Sequence, residues 1–356
     1  MGAMPVNLSL DYGTLLTTTM FNYRNTLYDN IFNAIPVFVM LRNKKRTEQG
    51  GERIAIPLIY SRNNTFKSMQ GGYDVVDTTP QDSLTTVFSN WKEFAGSISI
   101  SRREENVNRG KFQIINMLTA KTQVAEMSAA ELLAVQSLGT LATTDPTYDL
   151  SPISYLVQKD PTASKSVQEL NQSTYAMWRN QYRDATAGSD TTFAAFLRGM
   201  ENLYNKCSKG GGAGKRSTPN WICCDQGYYE TYLAACRDKT RIVKYDETIA
   251  NLGFGGAKFR NATMTWDEYV PDIETGTNVT ADTVDTYSRS YYAAYFLNTE
   301  FLEYVVMAGS DLDLGPFVRP ENQVARTAII YNMANLVCSN RRKQGVHFKV
   351  PITITS

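Results

Sequence analysis

Phe94-Ala95-Gly96-Ser97-Ile98-Ser99-Ile100-Ser101 runs straight into Arg102-Arg103-Glu104-Glu105, with no loop residue between them. The second half of the first stretch alternates apolar and polar, the period-two pattern of a half-buried strand. Over 102–138 no proline interrupts the chain, and Ile115, Leu118, Thr122, Ala125, Ala129, Leu132, Leu133 and Gln136 recur three or four apart, small or apolar at most steps. The spacing predicts a helix that begins where the strand stops and closes at Gly139, a natural stop. As one element it would run about 55 Å at about 1.5 Å per residue. The mean helix is only about 11–12 residues, so a helix this long acts as a spine on which other elements lean. Gly110 is its one weak point, and a break there leaves two ordinary helices instead.

The 356 residues allow two domains or one elaborated domain, and a 42% hydrophobic content supplies a sizeable core. A net charge of +1 gives no general basic surface for nucleic acid. The basic residues cluster locally at Arg42-Asn43-Lys44-Lys45-Arg46, Arg102-Arg103 and Arg341-Arg342-Lys343, which read as solvated faces or inter-chain ion-pair partners. The longest apolar run, 34–41, is too short to cross a bilayer, and no signal-peptide pattern opens the chain, so no membrane partner is expected. The five cysteines are scattered without a C-x-x-C pair, which argues for reduced thiols and against a zinc site. His347 is the only histidine. Most hydrolytic triads, zinc enzymes and imidazole acid–base pairs are thereby disfavoured. The expectation is a protein with no catalytic residues, no metal and no cofactor; carboxylate or cysteine chemistry is the alternative.

Residues 5–33 read as an arm with a loose helical stripe from Leu15 to Ile31, ended by Pro36. Residues 51–101 read as a long two-stranded excursion. Ile54, Ile56, Leu58 and Tyr60 share one face of the outgoing strand, and 84–100 return with Trp91 and Phe94 as large anchors. The polar, turn-rich tip, 61–82, offers only Phe66, Met69, Tyr73, Val75 and Val76 for burial. A tip this long without its own core points to burial on a neighbouring chain. Those five residues, with Trp91, Arg102, Arg103, Glu104 and Glu105, are the candidate inter-subunit contacts. Beyond it, helix faces are predicted at 167–178 and 193–204, with a third around Tyr228 to Cys236. Strands are predicted at 240–245, 257–266, 291–297, 301–307 and 346–355, with a turn at Gly345. The run 326–338 fits strand or helix equally.

Several apparent motifs fail on their own chemistry. Gly210-Gly211-Gly212-Ala213-Gly214-Lys215 suggests a phosphate loop, but Lys209 stands where the first glycine belongs and Arg216 where a magnesium-binding hydroxyl belongs. A surface loop is the better reading. Asp311-Leu312-Asp313-Leu314-Gly315 lacks the further oxygen ligands of a calcium loop and reads as a turn. Glu104-Glu105 and Asp267-Glu268 are adjacent pairs that do not share a helix face, so neither forms an acid–base pair.

Taken together, the segments resemble the major capsid protein of a tailed bacteriophage with the Hong Kong 97-type fold. The resemblance is carried by the junction 94–105 with Asn108, Gly110 and Lys111, and by Asp145-Pro146-Thr147-Tyr148-Asp149-Leu150-Ser151-Pro152. It continues through Ser173-Thr174-Tyr175-Ala176-Met177-Trp178-Arg179-Asn180, Met264-Thr265-Trp266 and Phe296-Leu297-Asn298-Thr299. It closes with Asn335-Leu336-Val337-Cys338-Ser339-Asn340-Arg341-Arg342 and Gln344-Gly345-Val346, so that it covers nearly the whole chain.

The resemblance implies an α+β fold with an N-terminal arm (1–50), an extended loop (51–101) lying across the adjacent subunit, a peripheral spine helix (102–144), an axial domain (145–287) and a peripheral sheet (288–356). It implies self-assembly into hexamers and pentamers of an icosahedral virion head, built in the bacterial host cytoplasm. Packaged double-stranded DNA would be held by weak, non-specific contact, with 44–46 and 341–343 as candidate phosphate contacts. Portal and decoration proteins are implied partners, and a separate scaffolding protein, or none, is implied because no long scaffolding segment precedes the arm. A bacterial nanocompartment shell of the same fold is the alternative within this resemblance.

Overall fold

The computed structural model describes residues 36–69, 71–107, 117–139, 148–209, 217–238, 257–267, 269–270, 291–320 and 323–354. The expected arm helix, the strand at 240–245 and the glycine-rich loop at 210–216 lie outside them. So does the stretch 108–116, and with it the question of one spine helix or two.

The first described element is helix α1, Pro36–Asn43. Pro36 therefore opens a helix where sequence reading had it closing one. Proline fits the first helical turn, where its missing N–H has no intrahelical partner to lose. The chain continues into β1, Lys45–Glu48, β2, Arg53–Ile59, β3, Leu84–Asn90, and β4, Lys92–Ser101. Helix α2, Arg102–Val107, follows β4 without a loop, and α3, Met117–Leu138, carries the spine onward.

Ser101 and Glu104 explain the sharp junction. The Ser101 hydroxyl accepts from the Glu104 N–H at 3.1 Å, and a Glu104 carboxylate oxygen accepts from the Ser101 N–H at 3.0 Å. This reciprocal capping box satisfies two helix-start donors at once.

The expected helix at 167–178 is instead a tight hairpin, β5, Ser166–Val167, with β6, Leu170–Asn171, followed by a 3₁₀ turn at Ala176–Trp178. The Asn171 side chain accepts from both the N–H and the hydroxyl of Ser173, at 2.9 and 2.8 Å. Such a local turn competes with helix formation, while Val167, Leu170 and Trp178 are still buried.

Strand β7, Gln181–Asp184, precedes helix α5, Phe193–Cys207, and α4, Ile153–Leu156, lies earlier in the chain. Thr192 caps α5 by accepting from the Ala195 N–H. Next come β8, Trp221–Cys224, and α6, Gln226–Asp238. The stretch 257–266 divides into β9, Ala257–Phe259, and β10, Ala262–Trp266, because Arg260 turns the chain at φ 54°. The remaining strands are β11, Tyr291–Leu297, β12, Leu302–Met307, β13, Asp313–Leu314, β14, Ala325–Cys338, and β15, Gly345–Pro351. The ambiguous run at 326–338 is thus a strand.

Two sheets organise the described chain. The first is β1-β12-β14-β13, with β4 paired to the other edge of β14. β14 serves several partners because it is long: Ala325 to Ala334 pairs β4, and Ala334 to Cys338 pairs β12. The second sheet runs β7-β15-β11-β8-β10-β9. Helices α5 and α6 cover one face of it, where Phe196, Leu203, Tyr228, Cys224 and Phe296 form a buried cluster. Another cluster joins Val37 of α1, Leu138 of α3, Trp221, Tyr295 and Leu336, and so ties both sheets together.

Gly345 marks close packing, not a turn. A Cβ there would sit 2.6 Å from the Cys207 sulfur, and the turn itself is the 3₁₀ segment Arg341–Lys343.

Candidate assembly surface

β2 and β3 pair alone, from Arg53↔Asn90 to Ile59↔Leu84, and form a two-stranded stalk. The run 84–100, read as one return strand, divides at Trp91: β3 belongs to the stalk and β4 to the first sheet. The base of the stalk is seated on its own chain. Ile54 packs with Val305 and Val337, and Val87 packs with Leu170 and Trp178. Tyr60 still packs edge-on against Tyr175, and beyond it the apolar residues are uncovered. Phe66 is 87% exposed, Tyr73 102%, Val75 80%, Val76 58% and Met69 48%. The tip's backbone is shaped by short local bonds: Asn63 accepts from Thr65, Asp77 from Thr79, and Asp74 from the Gly71 N–H. These order the loop without burying apolar area. The five tip residues are thus gathered on one projecting element, as their sequence positions suggested.

The other candidate contacts sit differently. Trp91 is half-buried at the base of the stalk, packed beside Ile54, and its indole N–H donates to the Gly51 carbonyl at 2.9 Å. Its ring anchors the stalk to its own body. Arg102 and Arg103 are exposed at the start of α2. Glu104 is occupied by the capping box and by Lys121, whose ammonium lies 3.0 Å away. The Ser101 N–H, with Lys121, holds the Glu104 carboxyl below its ordinary value. Glu105 pairs with Arg326 at 3.4 Å. Of the four charged residues, Glu104 and Glu105 therefore have intramolecular roles that the sequence reading missed; the Ser-x-x-Glu spacing was the available signal.

A second apolar feature lies between the sheet and the spine helix. Phe94, Gly96, Ala125, Ala129, Leu132 and Ile330 help line a groove of about 300 Å³. Gly96 leaves it open, since a Cβ there would meet nothing within 4 Å.

The basic cluster at 341–343 is corrected most sharply. Arg341 is 0% exposed. It donates to the carbonyls of Leu156 (2.6 Å) and Trp178 (3.1 Å), and to the side-chain oxygens of Gln172 (3.2 Å) and Asn180 (3.1 Å). Burial pushes its guanidinium down to about 10. Lys343 is buried too, donating to the carbonyls of Ser208 and Ser217. Neither is exposed to meet a phosphate, and the neutral acceptors that hold them come from segments far away in sequence. At 44–46, Lys45 pairs with Asp311, and Arg46 with Glu48 and Glu303.

His347 is fully buried. Its Nδ1 lies 2.8 Å from the Tyr228 hydroxyl and its Nε2 3.3 Å from Asp190, which also pairs with Arg183. Burial holds His347 below its ordinary value. A neutral ring accepting from Tyr228 and donating to Asp190 fits this geometry, and with Tyr228 and His347 both buried the two belong to a core network. Among the described residues no cluster of His, Cys, Asp and Glu is arranged to hold a metal, and no helix is long and apolar enough to cross a membrane.

No protein-family model matches the chain, and no curated protein matches it. Solved structures do. The chain is similar to the Cyanophage A-1(L) capsid asymmetric unit, with 12% identity over 92% of this chain and 95% of that one and a TM-score of 0.66. It is similar to the capsid of a native GTA particle, with 12% identity, 98% and 100% coverage and a TM-score of 0.56. It is also similar to the holo-SrpI encapsulin complex from Synechococcus elongatus PCC 7942, with 7% identity, 97% coverage of both chains and a TM-score of 0.57. The chain therefore has an α+β fold of the Hong Kong 97 type, the fold of these capsid proteins.

Proposed function

We propose that this chain is the major coat protein of a tailed double-stranded DNA phage, assembling as hexamers and pentamers into an icosahedral head around the genome. The observation that carries this reading is the stalk whose base is packed on its own body and whose apolar tip is left uncovered. A projecting contact that meets a different surface on the next copy is heterologous, and such contacts build rings where the rotation between copies closes. In this reading 1–50 is an arm, 51–101 the extended loop with β4 joined to the first sheet, 102–144 and 288–356 the peripheral domain, and 145–287 the axial domain, whose sheet also takes in β11 and β15. Scaffolding, portal and decoration proteins are its partners, and the virion is its location. DNA is confined by the shell and touched weakly, with 44–46 and Arg342 as the remaining basic candidates. Catalysis has no part in it.

Negative-stain microscopy of the purified chain tests the proposal: closed shells or flat capsomer sheets are expected, and a uniform monomer at high concentration overturns it. The encapsulin likeness supports a second reading, a nanocompartment shell. Nuclease-protected double-stranded DNA in particles favours the coat protein; protein cargo without DNA favours the compartment.

A further inference from the structure

The tight hairpin beside the stalk is built on an unfavourable backbone. Val167 pairs with Leu170, so Gln168 and Glu169 are the two central residues of its turn. Both have positive φ, 52° and 64°. A two-residue turn of this kind favours glycine or asparagine, because a larger side chain is strained in the left-handed region. What the two side chains accomplish is visible on the stalk. The Gln168 side-chain amide donates to the Ser89 hydroxyl at 2.9 Å, while the Gln168 backbone carbonyl accepts from the Phe88 N–H at 3.3 Å. Glu169 pairs with Arg53 at 3.0 Å. The turn is held from behind by the Tyr155 hydroxyl, which accepts from the Gln168 N–H at 3.0 Å. Glycine would relax the turn but would abolish the Ser89 and Arg53 contacts.

The stalk joins the body through short links. Gly50 and Gly51, at φ 101° and 111°, precede β2, and Trp91 alone separates β3 from β4. Positive-φ glycines at a junction are suited to act as a pivot.

We propose that the Gln168–Glu169 turn is a latch that fixes the angle of the stalk on the body, and that its release lets the stalk pivot about Gly50, Gly51 and Trp91. The strained pair grips Arg53, Phe88 and Ser89, the residues next to the pivot, where a small displacement moves the tip furthest. A shell whose rings differ in size needs one subunit to present its tip at more than one angle. That use of the latch rests on the proposed shell; the latch itself does not.

Amide hydrogen exchange on the full chain tests it. In Q168G/E169G the amides of Arg53–Ile59 and Leu84–Asn90 should exchange about tenfold faster, the size expected for losing a side-chain hydrogen bond and an exposed ion pair. Gly345–Pro351 should keep its protection. R53Q/S89A cuts the same contacts from the stalk side with the turn untouched, and should accelerate the same peptides; if the glycine variant fails to fold, this one decides. Stalk exchange that stays unchanged, or that rises only in step with Gly345–Pro351, overturns the latch. Shell formation is scored separately on the unaltered chain. Its failure overturns the coat-protein reading and leaves the exchange result standing, whereas intact shells with unchanged stalk exchange remove the latch alone.

Discussion

Replacing residues 63–80 with a short glycine-containing turn separates folding from assembly. The segment contains all five exposed apolar tip residues, and none of them belongs to a buried cluster of the chain. Its shaping bonds, Asn63 to Thr65 and Asp77 to Thr79, are removed along with the groups they serve, so no buried partner is left unsatisfied. The subunit should unfold cooperatively at nearly its original midpoint. The contact between copies is another matter. Covering a large apolar side chain contributes about 1.5–3 kcal/mol. The five begin between 48% and 102% exposed, so full closure amounts to on the order of 5–10 kcal/mol per contact, before the cost of ordering the loop and associating two bodies. Losing it from every contact of a ring should prevent closed shells or make them fall apart on dilution. Circular dichroism melts report the folding, and sedimentation velocity with negative-stain images reports the assembly. Stable particles from the deletion chain would refute the idea that the tip holds copies together. Loss of cooperative unfolding would refute the idea that it lies outside the subunit core.

Arg341→Ala should lower stability by on the order of 3–5 kcal/mol, because it withdraws the donor from four buried acceptors at once, of which only the Asn180 oxygen keeps the Gln158 N–H; urea unfolding measures it, and Arg341→Lys should recover only part. Ser101→Ala should cost about 0.5–2 kcal/mol through loss of the cap at the strand–helix junction, read from the same urea curves. Stability should fall with acid: burial holds the folded His347 below its free value of about 6.5, so its contribution is complete above that pH and declines as the unfolded chain takes up the proton, by at most about 1.4 kcal/mol per pH unit. Burial pushes Asp190 up, but hydrogen bonds from His347 and Arg183 more than offset it and leave it low, which adds a further loss once the pH drops below about 4. His347→Gln should flatten the slope between about pH 6.5 and 5, and an unchanged slope there would exclude His347 as its source.

The strand–helix junction was legible because two local signals meet there: alternation ending at Ser101, and a proline-free helical spacing that begins at once after it; the capping glutamate three residues on agrees with both. The helix at Phe193–Cys207 was legible because its burial follows the helical period, and the strand at Tyr291–Leu297 because it is a short continuous apolar run, buried from Ala293 to Leu297. Where the reading failed, distance was the cause. Val167, Leu170, Thr174 and Trp178 recur three or four apart, but Leu170 and Trp178 reach Val87 on the stalk through a hairpin and a 3₁₀ turn. Arg341 looked solvated because its acceptors at 156, 172, 178 and 180 are gathered only by the fold. For the candidate contacts, composition picked out the tip, since a polar loop with five apolar residues has little to bury against. It could not show that Trp91 faces inward, because an aromatic residue at a strand boundary looks the same in either role.

The cysteines bear on how such a protein survives being repeated. All five, Cys207, Cys223, Cys224, Cys236 and Cys338, are buried and unpaired. Burial raises the thiols of Cys207, Cys223 and Cys224, and takes Cys338 to about 12. A thiol kept protonated and out of water is a poor nucleophile toward oxidants or other sulfurs. A container made of one chain multiplies every reactive group that its unit displays, and a single displayed sulfur would offer neighbouring containers a dense lattice of sites for covalent clumping. In the proposed shell, keeping the sulfurs inside the unit removes that hazard at every copy, so that a particle in an oxidising medium would display no cysteine through which to gel with its siblings.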